Sequence, residues 1–131
     1  MTYIIHQAMV ILKKSAAIVN MRYKLDKVRG KAIVEACDRI LTGGYWQNFP
    51  LKVWQTGSGT QTNMNTNEVI ANIANEILNQ PLGSNYVHPN DHVNQSQSSN
   101  DSFPTGMHIS VMMDLHTKLL PALNLFADVL K

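Results

Sequence analysis

The sequence predicts a mainly α fold, on three observations. Apolar residues recur three and four positions apart in four separate stretches. Glycine or proline punctuation closes two of them, at Gly43-Gly44 and at Pro81 with Gly83. The last stretch keeps alternating steps of three and four through Met112, Leu115, Leu119, Ala122, Phe126 and Val129, the seam of a long packed helix.

The first helix is expected from Tyr3 to Asn20. Its apolar residues are Ile4, Ile5, Ala8, Ile11, Leu12, Ile18 and Val19, which leaves Lys13 and Lys14 at the solvent side. A second runs from about Leu25 to Leu41 on the stripe Ile33, Ala36, Cys37, Ile40 and Leu41, and stops at Gly43-Gly44. Cys37 lies on that stripe, which makes it an inert core thiol. Residues 51–54, Leu-Lys-Val-Trp, fit a short strand or an extended lead-in. A third helix is expected to open on a capping box, with Asn65 as N-cap and Glu68 three residues on. Val69, Ile70, Ile73, Ala74, Ile77 and Leu78 form its buried face, and Pro81 and Gly83 end it. A fourth is capped by Asp101 or Ser102, holds Pro104 in its first turn and is kinked at Pro121.

The chain has 131 residues, 44% of them hydrophobic and 15% charged, which fits one globular unit with a sizeable core. A formal charge of +2 without basic clustering argues against a nucleic-acid partner. A single cysteine excludes an internal disulfide framework and fits a reducing compartment. No apolar run reaches the ~20 residues that span a bilayer, and the start lacks the pattern of a signal peptide. The first helical pattern begins without a cap and the last ends without a stop, as expected of a portion of a longer chain.

Two uncharged polar stretches stand out. In Gly57-Ser58-Gly59-Thr60 the glycines let the backbone approach a ligand closely, and Ser58 and Thr60 add hydroxyl donors. Ser98, Ser99 and Asn100 offer similar donors at a helix start, where unpaired N–H groups and the helix dipole favour negative charge. Either stretch alone reads most simply as a turn or a cap. Two of them, each leading into a helix, point to a site for an anion. His88, Asp91 and His92 suggest a metal, but Pro89 breaks the register that would align the histidines and no further ligand is evident. His108 and His116 read as packing or surface residues. No Ser-His-Asp order and no phosphate-loop lysine is present.

At V-W-Q-T-G-S-G-T-Q-T-N-M-N-T-N-E-V-I-A-N and H-P-N-D-H-V-N-Q-S-Q-S-S-N-D-S-F-P-T-G-M-H-I the chain resembles class II fumarate hydratases, of the fumarase/aspartase superfamily. The likeness covers residues 3–131, weakly before Phe49 and strongly after it. Aspartate ammonia-lyases look similar but tend to differ at His88 and Ser99. The resemblance implies two domains, residues 1–100 as an N-terminal helical domain and 101–131 as the first helix of a central helical bundle. It implies reversible hydration of fumarate to (S)-malate, without metal or other cofactor. The enzyme would be a homotetramer in the cytoplasm, or in the mitochondrial matrix of a eukaryote. Ser58, Gly59, Thr60, Ser98, Ser99 and Asn100 would bind the dicarboxylate, and His88, Pro89, Asn90 and Asp91 would form a second dicarboxylate site. Ser84, Asn85 and Tyr86, just before that run, supply none of the arginine some members place there. The family's serine-base loop and active-site histidine match nothing in this sequence and are expected beyond Lys131, so the chain alone would be inactive. The alternatives are a related lyase acting on aspartate and a non-catalytic helical module that binds anions.

Overall fold

A computed structural model describes residues 3–52, 54, 59–81 and 83–131. Its elements are α1 (Tyr3–Asn20), α2 (Lys27–Thr42), a single 3-10 turn (Trp46–Asn48), α3 (Thr60–Ile77), a π-helical turn (Pro89–Val93), α4 (Ser99–Asp114), a second π-helical turn (Leu115–Leu119) and α5 (Leu120–Val129). No strand occurs among the described residues, so the mainly α expectation holds. Leu51 and Lys52 carry no regular structure, and Val53 lies outside the described residues.

The core forms where α2 packs on α1 and α3. Ile33, Ala36, Cys37 and Ile40 from α2 meet Val10 and Ala17 from α1 and Ile70, Ile73 and Ala74 from α3. Asp26 caps α2, its carboxylate accepting from the N–H groups of Val28 and Arg29 at 3.1 and 3.0 Å. Gly43 ends it with φ +107°, as the glycine pair predicts. Cys37 is fully buried, and burial pushes its thiol up to about 12, the inert core role expected of it.

Three boundaries differ from expectation. Helix α3 begins at Thr60, not after Asn65, because Thr62, Asn63, Thr66 and Asn67 are buried helical residues and not loop. Asn65 lies inside the helix and donates from Nδ2 to the Asn48 carbonyl. The same helix ends before Pro81: Asn79, at φ +53°, lets Gln80 N–H reach Asn75 O and Asn79 N–H reach Glu76 O, a Schellman closure. Ser98, not Asp101 or Ser102, caps α4, and Pro104 sits in its second turn. Just before Pro121, where a kink is expected, lies the second π-helical turn. There Leu120 N–H bonds five residues back to Leu115 O, an adjustment to the N–H that proline lacks.

Helix α1 forms where expected, but its buried face is rotated. His6, Met9, Val10, Lys13 and Ala17 point inward, while Ile18 and Val19 are largely exposed. The inner face of α4 is a row of small residues, Ser102, Gly106 and Ser110, pressed against α1. A Cβ at Gly106 would fall 2.5 Å from Met9 Sδ, so glycine sets how closely the two helices approach.

Beyond Asp114 the chain leaves the core. Leu119, Leu123, Leu125, Phe126 and Val129 are between 48% and 75% exposed, a continuous apolar surface that no described residue covers. The 131-residue chain is therefore expected to self-associate. Sedimentation velocity checks this, and a monomer at tens of micromolar would contradict it.

Candidate functional site

The two polar stretches meet through α3 and α4. Gly59, at φ +73°, is the residue from which α3 starts, and a Cβ there would overlap the ring of Phe103 on α4. One turn into α3, Asn63 Nδ2 donates to Ser99 Oγ at 2.8 Å. Thr60 and Ser99 are thus the first residues of two helices whose starts are tied together. Ser98 Oγ accepts from Asn100 N–H at 3.3 Å and so acts as a cap, with its oxygen turned toward its own helix. Ser99 is half-buried and Asn100 exposed. Ser58, expected to be part of this set, lies outside the described residues.

A polar network beneath the helix starts went unread in the sequence. Lys13, expected at the surface, is fully buried. Its Nζ donates to Asn94 Oδ1 at 2.8 Å and Gln97 Oε1 at 2.9 Å, partners more than eighty residues away that no local pattern reveals. Asn63 Nδ2 also approaches Asn94 Oδ1, at 3.3 Å. At the far end of α1, Asn20 Nδ2 holds the Gln95 carbonyl at 2.8 Å. The only hint in the sequence is register: Lys13 falls three residues from Val10 and four from Ala17, on the face that the fold buries.

Burial lowers the Lys13 pKa to about 7. A neutral amine has two N–H donors, and two amide oxygens receive them. The folded chain binds fewer protons at this site than the unfolded chain between about pH 7 and the model-peptide value of 10.5, so stability rises with pH across that window. The Cys37 thiol titrates higher and opposes this only above about pH 9. Relative to Lys13→Met, the wild type is expected to gain stability from pH 7 to 9 in denaturant titrations; parallel curves would contradict the assignment.

The stretch His88–Asp91 is a self-capped turn. His88 Nδ1 accepts from the N–H groups of Asn90 and Asp91, each at 3.2 Å, and His88 N–H donates to His92 Nδ1 at 2.8 Å. Burial, followed by the nearby Arg29, lowers the His92 pKa, in keeping with an imidazole nitrogen that accepts. Asn75 anchors the approach to this turn, its amide bonding both N–H and O of Val87. Although Ser84, Asn85 and Tyr86 bring no cation, α2 does. Arg29 stacks on the Tyr86 ring at 4.2 Å, and its Nε donates to the Tyr86 carbonyl. No group of three or more His, Cys, Asp or Glu among the described residues is placed to hold a metal. His6 is buried against Phe49 with both ring nitrogens unpartnered among the described residues, and burial pulls its pKa down to about 4. His108 and His116 are exposed.

Fold and site together define, among the described residues, a helical protein in which the starts of α3 and α4 are joined through Asn63 and Ser99. The chain belongs to the lyase family, whose model matches residues 1–131. It is 57% identical over 122 residues to the mitochondrial fumarate hydratase of Rhizopus oryzae, covering 92% of this chain and 25% of that protein. It is 56% identical over 115 residues to the class II fumarate hydratase of Thermus thermophilus, covering 87% of this chain and 25% of that one. The crystal structure of class II fumarase from Schistosoma mansoni superposes with a TM-score of 0.95 at 45% identity, covering all of this chain and 28% of that one. The resemblance to class II fumarate hydratases read from the sequence therefore holds. The chain spans about a quarter of the length of the curated relatives it matches. No helix among the described residues is long and apolar enough to cross a membrane.

Proposed function

We propose that this chain is the substrate-clamping quarter of a fumarate hydratase, which interconverts fumarate and (S)-malate. The observation that carries the reading is the bond between Asn63 on α3 and Ser99 on α4, which brings two donor-rich helix starts to one place. In this reading Ser58, Gly59, Thr60, Ser98, Ser99 and Asn100 surround one carboxylate of the substrate. Residues 1–100 form the N-terminal domain, and 101–131 begin a helical bundle completed by the rest of the polypeptide and by partner subunits of a homotetramer. The enzyme works in the cytoplasm, or in the mitochondrial matrix of a eukaryote.

The chemistry follows from charge. Removing a proton from the carbon next to a carboxylate pushes negative charge onto that carboxylate's oxygens. Neutral donors already aimed at those oxygens bind the charged intermediate more tightly than the ground state, which is how they accelerate the step. The described residues of this chain supply such donors, and in this reading the base and the acid belong to the serine loop and the histidine segment of the family, which match nothing in this sequence and lie elsewhere in the polypeptide. The 131-residue chain alone is accordingly inactive. For His88, Pro89, Asn90 and Asp91 we propose a second dicarboxylate site, reached when the His88 ring swings off the Asn90 and Asp91 amides and leaves them to an anion.

Ultraviolet absorbance of fumarate formed from malate by the full-length polypeptide tests the function. Turnover of malate with none of aspartate is the expected result. Ammonia released from aspartate, with malate untouched, would replace this reading by that of an aspartate lyase.

A further inference from the structure

Lys13 is the largest fully buried side chain among the described residues, and the proposed reaction makes no use of it. Its bonds nevertheless lead to the clamp. Lysine only donates in the two bonds it makes, so Asn94 and Gln97 must each turn an oxygen toward it. The other ends of both amides agree. Asn94 Nδ2 donates to the Gln97 carbonyl at 3.2 Å, and Gln97 Nε2 to the Val93 carbonyl at 3.0 Å. With Asn94 fixed, the atom it offers to Asn63 is an acceptor, so Asn63 must present Nδ2. That same Nδ2 reaches Ser99 Oγ at 2.8 Å. Ser99 therefore accepts from within the protein, and its single hydroxyl proton is left to point outward.

The alternative orientation is blocked. Rotating the Asn63 amide by half a turn would let its Oδ1 take the Ser99 proton, but would also set two acceptor oxygens face to face at Asn94. The cost of the orientation adopted is visible: Asn63 is fully buried, yet its Oδ1 has no partner among the described residues. An orphaned buried acceptor is unfavourable, because it gives up its bond to water and gains none in return. It is retained where an orientation matters more than local satisfaction.

We infer that Asn63, locked through Asn94 by Lys13, is a positioning residue that turns the Ser99 hydroxyl proton toward the substrate carboxylate. This rests on the fumarate hydratase reading for its ligand. Neither Lys13 nor Asn63 touches the substrate; both act through Ser99.

A double-mutant cycle in the full-length enzyme tests it. Asn63→Asp keeps the shape of the side chain but can only accept, so Ser99 must turn its proton inward. With malate, Asn63→Asp is expected to lower kcat/KM about 10- to 100-fold, less than the outright loss of a donor because the hydroxyl stays in place and only its proton is turned away. In a Ser99→Ala background the same change is expected to cost less than about twofold, because there is no hydroxyl left to orient. Lys13→Met, which keeps chain length but removes the lock, is expected to show the same dependence on Ser99. It decides the matter if Asn63→Asp does not fold. Costs that add fully to that of Ser99→Ala in both variants would overturn the inference, since damage to the fold alone is indifferent to the Ser99 hydroxyl. A wild type that acts on aspartate and not on malate would refute the fumarate hydratase reading only, and the cycle would then be measured with aspartate. A neutron structure decides the question without turnover: a Ser99 deuteron pointing at Asn63 would overturn the inference, and an Asn63 deuteron pointing at Ser99 Oγ would support it.

Discussion

Gly59→Val is expected to be the most damaging single substitution at the clamp. Gly59 holds φ at +73°, where a β-branched residue is strongly disfavoured, and any Cβ there overlaps the Phe103 ring. Left-handed backbone contributes about 1–2 kcal/mol of destabilisation, and forced overpacking adds about 1–3 kcal/mol. Their sum, about 3 kcal/mol, corresponds to a fall in Tm of roughly 10 °C for a chain of this size. Activity of the full-length enzyme should fall further than stability, because moving Phe103 separates the starts of α3 and α4. Removing the ring as well, in Gly59→Val with Phe103→Ala, relieves the overlap but leaves the backbone strain. The pair is therefore expected to do less harm than the two changes measured separately and summed. Calorimetric melts of the four proteins check it; strictly additive Tm losses would contradict the contact.

Ser99→Ala is expected to have the largest effect on turnover with only a small one on the fold. Loss of one preorganised donor to a developing oxyanion lowers kcat by about 10²–10³. Stability should fall only by the lost bond from Asn63, about 0.5–1.5 kcal/mol, because capping belongs to the neighbouring residue, Ser98. Ser98→Ala removes the cap and is expected to destabilise by about 1 kcal/mol. Steady-state kinetics and melting curves on the two variants separate the roles. Full activity in Ser99→Ala with an unchanged Tm would reduce Ser99 to a surface hydroxyl.

The parts of this fold legible in the sequence are those where local pattern and burial agree. Helix α2 is the clearest: its stripe, its glycine stop and the buried state of Cys37 follow from spacing alone. Legibility fails where polar residues are buried. Thr60 to Asn67 looks like a loop because hydroxyls and amides favour turns, yet in α3 the Nδ2 groups of Asn63 and Asn65 bond to Ser99 and to the Asn48 carbonyl, and the hydroxyl of Thr66 bonds back to its own helix. The α1 face was misplaced for the same reason. His6 and Lys13 weaken its apolar signal, and partners at Asn94 and Gln97 exist only once the chain has folded. The clamp was half legible. Its donors stand out as uncharged polar runs at helix starts. What joins them, the Asn63 bond to Ser99 and the seat of Gly59 on Phe103, is tertiary and leaves no trace in spacing.

The central claim is that one carboxylate of the substrate lies between the starts of α3 and α4. A crystal structure of the full-length polypeptide with bound malate tests it most directly. A malate carboxylate oxygen is expected within hydrogen-bonding distance of Ser99 Oγ, about 2.5–3.0 Å, with the other oxygen facing the start of α3 at Thr60. Malate bound elsewhere, with water alone at Ser99 and Thr60, would contradict it.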